Sequence, residues 1–185
     1  MSATENFPVV VITGPVGVGK TTTLQALSEL LMAREVSHTM IDMDALTATF
    51  PRPPGDRFNA RLGFRNLANV VRNARGVGST RLIVAGVVES RDGRDPYRAA
   101  IPDAKVTVVR LVASIESIHR RIKARNSLSG WSEADAAWEL DRAAELIAIM
   151  DAADVADVCI DTSDRRPEEV AREIGVWLGW LLKEA

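Results

Sequence analysis

Residues Gly14-Pro15-Val16-Gly17-Val18-Gly19-Lys20-Thr21 follow the spacing G-x-x-x-x-G-K-[ST], and their flanks constrain the fold more than any other part of the chain. Before them lies Pro8–Thr13, a short apolar, β-branched run suited to a buried parallel strand. After them runs Thr22 to Arg34, with Leu24, Leu27, Leu30 and Leu31 at helical spacing. A strand, a glycine loop and a helix in this order aim backbone N–H groups and the positive end of a helix at a phosphate chain. Lys20 would reach the β- and γ-phosphates, and the Thr21 hydroxyl would hold Mg²⁺. The expected nucleotide cradle is Gly14, Pro15, Val16, Gly17, Val18, Gly19, Lys20, Thr21 and Thr22.

Further strand-like runs recur at 37–41, 81–88, 105–111 and 157–160. Helical patterns lie between them. One covers about 57–75 and is stopped by Gly76 and Gly78. Ser114 caps another to about Arg125, and Ser132, with Asp135 three positions on, caps one to about Ala152. Pro167 opens the last, with Glu168 and Glu169 at its positive end. Strands alternating with helices predict a parallel, doubly wound α/β sheet in a single domain over 1–185.

The length suits one sizeable core. A net charge of −2 leaves no basic footprint for nucleic acid. No run is long enough to span a membrane. The lone Cys159 excludes an internal disulfide and points to a cytoplasmic protein; its apolar run predicts a buried thiol. The N-terminus has neither a basic start nor an apolar stretch, so no signal peptide is expected. Val170, Ile174, Trp177, Leu178 and Leu181 form the apolar stripe of the last helix. Trp180 and Leu182 fall off it, either as partly exposed residues or as a homodimer contact.

The candidate chemistry lies at strand ends, where open α/β sheets collect ligands. The second strand ends in Ile41-Asp42-Met43-Asp44. Asp42 is expected to support Mg²⁺ and Asp44 to orient or deprotonate an acceptor hydroxyl, although Asp44 would also serve as a plain cap. The third strand ends in Glu89-Ser90-Arg91, with Arg94 and Arg98 beyond, a cluster suited to an anionic acceptor. Arg121 and Arg125 precede a polar loop, 126–131, and Arg142 follows it. That pattern predicts a lid at about 126–132 whose arginines close over the transferring phosphoryl group. The loop after the fifth strand, 161–167, is either a contact for the nucleotide base or an ordinary turn.

With these residues in order, the chain resembles the small P-loop kinases from Val9 to about Leu182. This branch holds adenylylsulfate kinase, gluconate kinase, shikimate kinase, chloramphenicol phosphotransferase and the nucleoside monophosphate kinases. The resemblance implies a three-layer α/β/α P-loop NTPase fold with a five-stranded parallel sheet in the order 2-3-1-4-5 and a short lid. Asp42-Met43-Asp44 sits where adenylylsulfate kinase has Asp-Gly-Asp. Phe64-Arg65 is similar to the Phe-Arg that binds acceptor in shikimate kinase, and Ser90-Arg91-Asp92 echoes the Ser-Pro-x-Arg stretch of adenylylsulfate kinase. Arg65 and Arg91 are the implied acceptor contacts, beside Asp44. The expected activity is ATP- and Mg²⁺-dependent phosphoryl transfer to a small-molecule hydroxyl. The rival readings are a nucleoside monophosphate kinase and a nucleotide-binding regulatory protein with little transfer.

Overall fold

In the computed structural model, residues 6–52, 54–56, 58–129 and 133–182 are described. Five strands form one sheet: β1 (Phe7–Thr13), β2 (Thr39–Asp42), β3 (Leu82–Ala85), β4 (Ala104–Val112) and β5 (Val158–Asp161). Their order is β2-β3-β1-β4-β5 and every neighbouring pair is parallel, as the resemblance implies. The central strand explains its own sequence. Val9 and Val11 point to one face and Val10 and Ile12 to the other, and both faces are covered, so no polar alternation appears.

On one face Leu24, Leu27 and Leu31 of α1 (Lys20–Met32) pack with Val170, Ala171 and Ile174 of α7 (Pro167–Trp177). On the other lie Met43 of α2 (Met43–Thr47), Leu67 and Val71 of α3 (Ala60–Gly76), Tyr97 of α4 (Asp95–Ala100), and Leu146 and Met150 of α6 (Glu133–Ala153). Each such fully buried side chain contributes about 1.5–3 kcal/mol. The helix after β1 thus covers one face and the helix after β3 the other. Adjacent strands that send their chains to opposite faces open a crevice beyond their carboxyl ends.

Several expectations are corrected. The third strand stops at Ala85: the Gly86 N–H still donates to Ile12 O at 3.1 Å, but beyond it the Val88 N–H turns to Thr13 Oγ1 at 2.9 Å instead of a strand carbonyl. The third helix begins at Ala60, where Asp56 accepts from the Ala60 and Arg61 N–H groups. Cys159 is exposed, because β5 is an edge strand on which Ile160, and not its neighbour, faces the core. Trp177 is half exposed and leaves the stripe of α7; Trp180 is half-buried beneath the Arg81 guanidinium, 5.0 Å from its ring centroid.

The largest correction concerns the lid. α5 (Ile115–Ser129) begins at the expected cap, where Ser114 Oγ accepts from the Ser117 N–H, but it runs a turn past Arg125. Residues 126–129 are helical because Asn126 turns inward and donates to Glu139 of α6 at 3.3 Å. Only residues 130–132 of the expected segment lie between the two helices. They, and with them Trp131 and the Ser132 cap, fall outside the described residues.

Candidate active site

The glycine loop joins β1 to α1 at the carboxyl edge of the sheet. Gly14, Gly17 and Gly19 all have positive φ, where any other residue is strained. Gly14 has φ +145, and a Cβ there would stand 2.5 Å from the Leu111 carbonyl oxygen. Gly19 has φ +103 and is the N-cap of α1, so the helix opens with no side-chain cap and no acid in its first turn. Its leading N–H groups and positive dipole end are therefore left to an anion.

Lys20 folds back over the loop, and its Nζ donates to the carbonyl oxygens of Gly14 and Pro15, each at 3.0 Å. Burial lowers its pKa to about 8, against the opposing pull of Asp44 and Asp42. Thr21 Oγ1 donates to Asp42 Oδ2 at 2.7 Å, while Asp42 Oδ1 accepts the Asp44 N–H at 3.0 Å. Asp42 is thus the N-cap of α2, and the capping alternative for Asp44 falls away. The cap leaves Asp44 one residue into the helix, open to the cleft. Its pKa is raised, chiefly by burial and then by Asp42, against the pull of Lys20. Thr21 and Asp42 together present adjacent hard oxygen donors, the chemistry Mg²⁺ takes alongside phosphate oxygens and water. Among the described residues no cluster of three His, Cys, Asp or Glu side chains offers an all-protein metal site.

A cleft of about 1210 Å³ runs over this loop. On the β4–β5 side its wall includes Arg121, Thr162, Arg165 and Pro167. On the β2–β3 side it includes Asp44, Phe64, Gly86, Glu89, Tyr97 and Arg142. Loop residues Val16 to Thr22 floor it, whereas Gly14 and Pro15 lie beneath and serve Lys20 through their carbonyls.

The three expected lid arginines all reach the cleft, each already engaged. Arg121 donates to Val18 O at 3.1 Å, Thr162 Oγ1 at 3.0 Å, Ser163 O at 3.2 Å and Thr162 O. It joins the phosphate loop to the turn after β5, and desolvation lowers its pKa. Arg125 pairs with Glu139 at 2.6 Å. Arg142 pairs with Glu145 at 2.6 Å and with Glu89, and its guanidinium lies 5.4 Å from the Phe58 ring centroid.

The two arginines expected at the acceptor do not line the cleft. Arg65 is exposed on the outer side of α3, while its neighbour Phe64 faces inward against Tyr97, edge to face at 5.0 Å. Helical geometry turns consecutive residues about 100° apart, so the pair cannot share one wall. Arg91 binds Asp154 at 2.7 Å on the surface. Arg94 likewise binds Asp157 at 3.0 Å, and Arg98 binds Asp95 at 2.9 Å.

Sequence reasoning missed Phe58, Asn59, Tyr97, Trp138 and Glu139 in the wall. The signal for Phe58, Tyr97 and Trp138 was an aromatic residue in an otherwise polar stretch, which reads equally as core; Asn59 and Glu139 gave none. Asn59 Nδ2 donates to Thr47 O at 2.8 Å, which ties the end of α2 to the start of α3.

No family model matches the chain, and no curated protein matches it. Solved structures do. Shikimate kinase from Acinetobacter baumannii is 24% identical with a TM-score of 0.57, covering 97% of each chain. The tunicamycin resistance protein of Deinococcus radiodurans is 19% identical with a TM-score of 0.64, covering 96% of this chain and 99% of that one. A gluconokinase from Sinorhizobium meliloti is 18% identical with a TM-score of 0.62, covering 94% and 93%. These likenesses establish the P-loop α/β fold over nearly the whole chain. Among the described residues no helix is long and apolar enough to cross a membrane.

Proposed function

We propose that this chain is an ATP- and Mg²⁺-dependent phosphotransferase that moves the γ-phosphoryl group to a hydroxyl of a small molecule. The observation that carries the reading is the meeting, at one uncapped helix start, of Lys20, the Thr21–Asp42 oxygen pair and the open carboxylate of Asp44. The triphosphate lies along 14–22, with the Lys20 ammonium on the β- and γ-phosphate oxygens. Thr21 and Asp42 would hold Mg²⁺, which would supply charge neutralisation to the triphosphate. The acceptor oxygen forms its bond to the γ-phosphorus as the β,γ-bridging bond breaks and ADP leaves. Asp44 takes the acceptor's proton and later gives it to water. The raised pKa of Asp44 makes it a stronger base than an ordinary aspartate. The solved kinases of the same fold support this reading.

Asp44→Asn tests it. ATP affinity, measured by calorimetry, stays near the parent value, and turnover to phosphorylated product falls by about 10²–10⁴-fold. In the parent, activity is lost as pH falls through the Asp44 pKa, at a value above the ordinary 3.8. Transfer that survives Asp44→Asn at the parent rate removes the base role and favours an acceptor that is already anionic, as in a nucleoside monophosphate kinase.

A further inference from the structure

The β2–β3 lobe of the cleft carries a charge arrangement that selects among acceptors. Its walls include the accessible aromatic side chains Phe58, Phe64 and Trp138. Its charged side chains are Asp44, Glu89 and Glu139 against Arg52, Arg125 and Arg142. Two of these guanidiniums are held by carboxylates of the protein itself. Arg142, with 13% of its side chain exposed, sits between Glu89 and Glu145. Arg125 pairs with Glu139, whose side chain is 6% exposed and whose second oxygen accepts from Asn126.

The charge of each arginine is already offset by a carboxylate: Arg142 is nearly enclosed by its two, whereas Arg125 leaves 48% of its side chain exposed beyond its pair with Glu139, so an anionic acceptor gains little net attraction from either without displacing its partner. For Glu139 that would strand a buried negative charge, a large penalty against any gain from the new pair. Arg52 makes no ion pair among the described residues, but it is exposed at the rim, where solvent and salt screen its attraction. Arg65 and Arg91, the remaining candidates for an anion, lie outside the lobe. What faces inward without a guanidinium of its own is the carboxylate of Asp44, while Glu89, paired with Arg142 through one oxygen, leaves 44% of its side chain exposed in the same cleft. Such a lobe offers acceptor oxygens and aromatic faces, and so suits ligands that donate.

We propose that the phosphoryl acceptor is a neutral or cationic ring alcohol. It carries a hydroxyl and further hydroxyl or amino donors on a flat apolar body, and bears no carboxylate, phosphate or sulfate. This rests on the phosphotransferase reading above. The reactive hydroxyl lies at Asp44, the ring lies against Phe64 and Phe58, and a second donor meets Glu89.

Three matched probes share a phenyl ring and one hydroxyl: 1-phenylethane-1,2-diol, 2-amino-1-phenylethanol and mandelate, which are neutral, cationic and anionic at pH 7. Saturation-transfer NMR on the protein loaded with Mg²⁺ and a non-hydrolysable ATP analogue reads binding; mass spectrometry with ATP reads transfer. The diol and the amino alcohol are expected to bind at least about tenfold more tightly than mandelate, a difference of roughly 1.4 kcal/mol. They alone gain a phosphoryl group. In the doubly substituted Glu89→Gln, Glu145→Gln protein, with folding checked by its melting curve, Arg142 is released and the preference moves toward mandelate. Mandelate bound as tightly as the other two by the parent, or no binding by any of the three, overturns the inference. The expected order of binding without product supports the charge preference of the lobe and overturns the phosphotransferase reading instead.

Discussion

Arg121→Met removes a guanidinium while keeping much of the side chain's volume. Four hydrogen bonds go with it, to Val18 O, Thr162 Oγ1, Thr162 O and Ser163 O, and with them the tie between the phosphate loop and the turn after β5. A hydrogen bond from a charged donor contributes about 1.5–3 kcal/mol net when well made. These four share two nitrogens, and desolvation already disfavours the cation enough to lower its pKa. The loss on substitution is therefore about 2–4 kcal/mol, well below the simple sum. For a domain of this length that lowers Tm by about 4–16 °C. With an m-value near ~2 kcal/mol/M, the urea midpoint falls by about 1–2 M. Circular dichroism melts and urea titrations read both, beside ATP affinity and turnover on the same samples. A guanidinium that acted only as a closing lid would give the opposite pattern: an unchanged melting curve with turnover lost. A Tm within ~1 °C of the parent would refute the structural tie, since even the low end of the range exceeds that shift.

Lys20 gives a pH dependence of definite sign. Its free-state pKa of about 8 leaves it charged below that pH and increasingly neutral above, while bound phosphate favours the ammonium. Nucleotide affinity is then flat below pH 8 and falls by up to about tenfold per pH unit above it. Calorimetry across pH 7–9.5 checks this, and a flat profile in the parent contradicts it. Gly14→Ala places a Cβ 2.5 Å from Leu111 O at φ +145, whereas Gly19→Ala, at φ +103, meets nothing within 4 Å. The first substitution is expected to cost about 3 kcal/mol or more and the second about 1–2 kcal/mol. Urea unfolding of the two proteins side by side decides it, and equal losses would remove the steric account.

The parts of the fold legible in the sequence are those whose signal is local. β1 reads as a strand because Val9 to Ile12 are buried on alternating faces, and α1 because its leucines fall at helical spacing over 13 residues. α2 has five residues and α4 six, too short for a period to show. The end of α5 misleads for another reason. Asn126 and Ser127 look like a stop, but Asn126 finds a buried partner 13 residues further on, in α6. Tertiary contact there overrides the local preference. Cys159 fails in the same way, since an apolar run does not say whether its strand is central or at the edge.

In the site, the loop residues were legible because one contiguous segment builds the whole cradle. Asp42 and Asp44 were legible because a strand's carboxyl end fixes where they lie, whatever surrounds them. The arginines were not. A guanidinium offered to a ligand and one spent on an internal ion pair are identical letters, and the partner that distinguishes them is remote. Glu89 stands 53 residues from Arg142, and Asp154 stands 63 from Arg91. Basic residues near a phosphate site suggest an anionic acceptor as long as their partners are invisible. Once Glu89, Glu139 and Glu145 are set against them, the same arginines brace walls, and the exposed carboxylates govern what can enter. The proposed phosphoryl transfer is therefore suggested by the loop alone, whereas the proposed choice of acceptor rests on which charges the tertiary structure has already cancelled.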